Sequence, residues 1–135
     1  MPSPPKKQAA AKPPSAHKKY LFVDFENTQK IDFSKMDSSI HVYVFVGANQ
    51  KSMLIDIAIQ NQKLGSRLEW KRIDGSGKNA LDFHIAYYIG KTLEKDPAAE
   101  CIILSKDTGF DPLLAALRKE NKKAQRIEDI SALKS

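Results

Sequence analysis

Two hydrophobic periods alternate along this chain. Tyr20–Val23, Ile40–Val46 and Cys101–Leu104 are short, nearly continuous apolar runs rich in β-branched and aromatic residues, which is the signature of buried strands. Leu68–Ile73 reads as a third strand in chain order, and Lys123–Ile127 as a short fifth. Between the strands the period becomes helical. Ser52–Gln60 reads as a mostly buried helix closing near Gly65. Asn79–Lys95 places Leu81, Ile85, Ile89 and Leu93 on one stripe. Pro112–Asn121 opens with proline, as first helical turns often do. Strands that are apolar at almost every position need cover on both faces. Their alternation with helices predicts an α/β fold, with a central, mostly parallel sheet of about five strands. In such sheets the ligand site lies beyond the carboxyl ends of the strands.

Composition changes this picture at one end. The chain has 135 residues, with 22 Lys and Arg against 16 Asp and Glu, a formal net charge of +6. Residues 1–19 hold five of the seven prolines and five lysines, with no acid and no Leu, Ile or Val. Such a segment buries too little apolar area to offset its ordering entropy, so it is expected to be a disordered basic tail. The remainder carries 17 basic and 16 acidic residues and is nearly neutral. The tail therefore reads as a solvated linker or as an electrostatic tether for RNA or DNA. The folded domain is expected over residues 20–130, with 131–135 as a C-terminal end. A single cysteine excludes a disulfide framework and a multi-cysteine zinc site, and suits a reducing, cytoplasmic setting. No run approaches ~18 apolar residues, so no membrane helix is expected. The first residues lack the apolar core of a secretory signal.

The acids stand where the fold class puts a ligand. The first strand runs into Asp24, with Glu26, Asn27 and Thr28 following. The fourth runs into Ser105, Asp107, Thr108 and Asp111, and Asp82 sits in the first turn of the helix after the third. If the first and fourth strands are neighbours, Asp24 and Asp107 face one crevice, rimmed by Asp82 and Asp111. Carboxylates gathered this way raise one another's pKa, and divalent metal relieves the repulsion. Oxygen donors suit Mg²⁺ or Mn²⁺ rather than zinc. Each acid also has a structural reading. Asp111 before Pro112 has the form of a helix N-cap, and Asn79 with Asp82 has capping-box spacing.

These residues together resemble the PIN-like nucleases, and most closely their NYN branch. The resemblance rests on Val23-Asp24 with Glu26 and Asn27, on Lys78 to Asp82 opening a helix, and on Leu104-Ser105 with Asp107, Phe110 and Asp111. It spans about residues 20–130 in the family's order. It implies a three-layer α/β/α domain and a Mg²⁺- or Mn²⁺-dependent ribonuclease. In such an enzyme a metal-activated water hydrolyses the RNA phosphodiester. Asp24, Asp82, Asp107 and Asp111 would then hold metal, with Glu26 as an additional carboxylate. Asn27, Ser105 and Thr108 would position acids or substrate, and RNA is implied ahead of DNA. A protein regulator is compatible with this reading.

Other features divide between chemistry and structure. Gly75 to Lys78 lacks P-loop spacing, which leaves a flexible turn or a backbone anion site with Lys78 near a phosphate. Arg118, Lys119, Lys122, Lys123 and Arg126 form a basic run. It reads as a solvated helix end or as a contact for a nucleic-acid backbone, the latter through Lys119, Lys122, Lys123 and Arg126. Trp70, Tyr87 and Tyr88 are core or base-stacking aromatics. Two alternatives compete with the nuclease. One is a catalytically silent PIN-like module that binds RNA or protein. The other is a haloacid dehalogenase-like phosphatase with Asp24 as nucleophile, in which Glu26 is one methylene too long and Asp82 has no role.

Overall fold

The computed structural model describes residues 18–26, 33, 36, 39–47, 55–75 and 79–133. The expected tail up to residue 17, the start of the first helix at 52–54, and the candidate residues Asn27 and Lys78 lie outside them. Five strands form one parallel sheet in the order β3-β2-β1-β4-β5. They are β1 (Lys19–Asp24), β2 (Ile40–Val46), β3 (Leu68–Arg72), β4 (Glu100–Leu104) and β5 (Lys123–Ile127). Helix α1 (Ile55–Asn61) leads through the 3₁₀ segment Gln62–Arg67 into β3. Gly65 within that segment has φ 57°, a left-handed conformation in which glycine is unstrained. Helix α2 (Ala80–Lys95) joins β3 to β4, and α3 (Asp111–Lys119) joins β4 to β5.

The period of two along each strand divides the core between two faces. Leu21 and Val23 of β1, Val42 and Val44 of β2, and Ile102 and Leu104 of β4 pack on one side with Leu64 and Phe33. Phe22, Phe45, Cys101 and Ile103 pack on the other, under Leu81, Ile85, Ile89 and Leu93 of α2 and Leu114 of α3. Both faces being covered is the physical reason the strands read as continuous apolar runs. Asn61 is a buried polar exception. Its Oδ1 accepts from Phe33 N at 2.7 Å and its Nδ2 donates to the Ile57 carbonyl at 2.9 Å, which ties α1 to the loop after β1.

β1 and β4 are neighbours, with Val23 opposite Leu104. The carboxyl ends of both strands therefore open on the same crevice. Past the expected end of the domain at residue 130, a 3₁₀ turn covers Ile130–Ala132. Ile130 and Leu133 pack against the first core face, so the packed structure continues to Leu133. Among the described residues no helix is long and apolar enough to cross a membrane.

Candidate active site

The crevice is built around Ser105. This residue follows β4, is fully buried, and donates its backbone N–H to the Ile127 carbonyl at 3.0 Å. Its Oγ donates to Asp24 Oδ2 at 2.8 Å and accepts from the Asp107 N–H at 3.0 Å. One hydroxyl thus connects the end of β1 to the loop after β4. Asp24 is the last residue of β1 and has no exposed surface. The strand's alternation puts it on the same sheet face as Phe22, the face covered by α2.

Asp82 completes the group from above. It lies in the first turn of α2, one residue after the buried Leu81. Its carboxyl hydrogen-bonds to that of Asp107. Burial, then the charges of Asp107 and Asp24, and more weakly Glu26, push its pKa up to about 6. Glu26 is exposed beyond β1, and its carboxylate lies directly over Gly47 at the end of β2, where a Cβ would collide with Oε2. Any larger residue there would require the exposed Glu26 side chain to move aside. The structure therefore gathers Asp24, Asp82 and Asp107, with Glu26 at the margin.

Asp111 is placed differently. Its carboxylate receives Arg126 Nε at 2.8 Å and Nη2 at 3.4 Å, and these bonds hold its pKa below the usual carboxylate range. Arg126 also donates through Nη1 to Glu128 at 2.9 Å and to the Ser105 carbonyl at 3.0 Å. Its guanidinium is thus engaged by two acids and the backbone, and it braces the Ser105 loop. Lys119 ends α3 and Lys123 begins β5, with Lys123 opposite Glu100 at the start of β4. Lys122 donates to the Pro97 carbonyl at 3.5 Å, also at that end. These three lysines stand about 15 Å from the acids, one strand length away at ~3.3 Å per residue. The basic run is split: Arg126 is at the acid end and the lysines are at the opposite end of the sheet.

The capping expectations fail here for an informative reason. Asp111 is the first residue of α3, and the N-cap position belongs to Phe110. The acid that caps is Asp107, whose Oδ1 accepts from Gly109 N–H at 2.8 Å and closes the 3₁₀ turn Thr108–Phe110. Thr108 opens that turn and is exposed beside the acids. Asn79 does precede α2, but it is in the left-handed region at φ 69° and its side chain makes no capping bond. Asp82, without a capping-box partner, is turned toward Asp107. Sequence reasoning missed Arg126 as the partner of Asp111, because a separation of fifteen residues across a helix and a strand leaves no local pattern.

Among the described residues no three His, Cys, Asp or Glu side chains are arranged to hold a metal ion. Mg²⁺ does not need such a cage. It keeps several waters and is commonly held by one or two carboxylates together with substrate phosphates. The Asp82–Asp107 pair beside Asp24 has the donor chemistry for that kind of binding. Two carboxyl groups at hydrogen-bond distance need a proton or a cation between them.

A family model described as a PIN domain matches residues 18–127. Comparison with curated proteins and with solved structures finds no match.

Proposed function

Because the chain belongs to the PIN domain family, whose members are commonly nucleases, we propose that it is a ribonuclease dependent on Mg²⁺ or Mn²⁺, of the NYN kind. The observation that carries this reading is the meeting of Asp82 and Asp107 beside Asp24, with the Asp82 pKa pushed up to about 6. A half-buried carboxylate pair costs stability by repulsion, and a divalent cation converts that cost into affinity. Structural capping does not explain the arrangement, since Asp82 caps nothing and Asp107 presents a carboxyl to Asp82 as well as capping its own turn.

Asp82 and Asp107 would hold the cation, with Asp24 beside them and Glu26 at the rim. When bound, the cation activates the attacking water and offsets charge on the scissile phosphate and leaving oxygen. Ser105 fixes Asp24 and Asp107 relative to each other through its two hydrogen bonds. Asp111 sits beside this group in its bond to Arg126 and contributes by fixing the loop rather than as a principal ligand. Arg126 holds the loop from behind. Asn27, Thr108 and Lys78 remain candidates for contacts to the RNA.

Incubation of the purified chain with labelled RNA, labelled DNA and a small aryl phosphate, with Mn²⁺, Mg²⁺ or EDTA, tests the proposal. RNA cleavage that requires the cation is expected. Release of phosphate from the aryl ester with a covalent adduct on Asp24, and intact RNA, would instead establish the phosphatase.

A further inference from the structure

The outer face of α2 carries rings that the core does not use. Phe83 and Tyr87 are 72% and 60% exposed, although the same helix buries Leu81, Ile85, Ile89 and Leu93. Two large exposed aromatics four residues apart lie on one face of a helix, about 6 Å along its axis. Isolated exposed apolar residues need no explanation, but an aligned pair next to a candidate active site does. Phe83 directly follows Asp82, so the pair begins at the acids and leads away from them.

Cations flank these rings. Lys91 Nζ, one further turn along, stands 5.3 Å from the Tyr87 ring centre and 5.0 Å from that of Tyr88. From β3, Lys71 Nζ stands 5.2 Å from Tyr88 and 5.6 Å from Tyr43, while also pairing with Glu69 at 3.2 Å. Among the described residues Lys91 makes no ion pair with an acid. Its charge is left to a ring face and to whatever approaches from solvent. Tyr88 itself is half-buried and stacks edge-on to Tyr87 at 5.3 Å, which holds the exposed ring in place.

We propose that Phe83, Tyr87 and Lys91 form a stacking track that receives the bases and backbone of single-stranded RNA on its way to the Asp24–Asp82–Asp107 site. The occupant rests on the nuclease reading. The partner class follows from chemistry: ring faces are complementary to the faces of unpaired bases whatever their sequence, and an unpaired ammonium is complementary to phosphate. The track also resolves a difficulty of the site, where carboxylates repel the polyanion. Binding energy gathered along α2 holds the strand against that repulsion.

The test is fluorescence anisotropy of the full chain in EDTA, where cleavage is prevented. The probes are a labelled uridine strand of about twelve nucleotides, within the range known for single-strand sites, and an abasic ribose-phosphate strand of equal length. The uridine strand is expected to bind more tightly than the abasic strand. Phe83→Ala and Tyr87→Ala are each expected to weaken uridine binding by roughly fivefold to a hundredfold, the range found for base–aromatic stacking. They should leave abasic binding and the thermal midpoint unchanged. Tyr87→Phe should retain affinity, and Lys91→Gln should weaken both probes. Equal binding of the two strands by the unaltered chain, or unweakened uridine binding by both alanine variants, overturns the track. A loss of self-association in these variants with RNA binding intact assigns the face to a second copy and also overturns it. RNA cleavage in Mn²⁺ with unweakened variants would leave the nuclease standing without the track. Ring-dependent binding without cleavage in any metal would do the reverse.

Discussion

Asp82 carries the sharpest prediction at the scale of single residues. Its carboxyl keeps its proton up to about 6 in the folded chain, against an ordinary value of 3.8. Between those values the folded state binds more protons than the unfolded one, so this group's contribution to stability falls as pH rises through the window. In EDTA, Asp82→Asn is therefore expected to unfold at higher urea than the unaltered chain above pH 6, with the difference shrinking as pH falls toward 3.8. Asp111 and Asp129 are held below the usual range by Arg126 and by the Ser131 N–H, and their contributions are lost at lower pH, outside this window. Ser105 makes the opposite case. Ser105→Ala removes the donor to Asp24 and the acceptor for Asp107 N–H in a fully buried setting. A loss of about 1–3 kcal/mol is expected in urea unfolding, with the slope unchanged. The acids at the strand ends were legible in the chain because an apolar run that stops at Asp is unusual. The bond from Arg126 to Asp111 was not, because it depends on β5 folding back beside α3.

The crossovers after β3 and β4 each carry part of the site, and α2 shows how. Its inner stripe anchors it on Phe22, Phe45 and Ile103, and that anchoring sets where Asp82 meets Asp107. Ile85 has no exposed surface, so Ile85→Ala is expected to cost about 2–5 kcal/mol by leaving a cavity. Phe83→Ala on the opposite side is expected to stay within about 0.5 kcal/mol, and chemical unfolding of the two variants side by side checks the contrast. The inner stripe of α2 and the order of strands and helices could be read directly, since both follow from side-chain period. Helix ends were less legible. Asn79 and Asp82 have the spacing of a capping box, yet the left-handed backbone at Asn79 turns the side chain away from that role. Asp111 before Pro112 looked like a cap, yet Phe110 occupies that position while Asp107 caps the preceding turn. Local spacing was outweighed in both places by what the acids meet across the crevice. The 3₁₀ segment Gln62–Arg67 had no sequence signal beyond Gly65.

At the scale of the whole molecule, charge is distributed rather than simply positive. The excess of +6 comes almost entirely from residues 1–19, while the described fold presents acids at one end of the sheet and Lys119, Lys122 and Lys123 at the other. We expect the tail to hold RNA by phosphate contacts. Deletion of residues 1–17 removes Lys6, Lys7 and Lys12. RNA affinity should then fall at low salt, and the slope of log affinity against log salt should drop by up to about 2, at ~0.7 per phosphate contact on a single strand. The proposed chemistry lies at the acidic end, where the Asp82–Asp107 pair beside Asp24 would take a cation for phosphodiester cleavage. Its most direct test is the rate of RNA cleavage in Mn²⁺ by the unaltered chain, by Asp107→Asn and by Asp111→Asn, each repeated in EDTA. Cleavage is expected that EDTA and Asp107→Asn both abolish and that Asp111→Asn largely retains; cleavage by Asp107→Asn at the rate of the unaltered chain would overturn the assignment of the acids to catalysis.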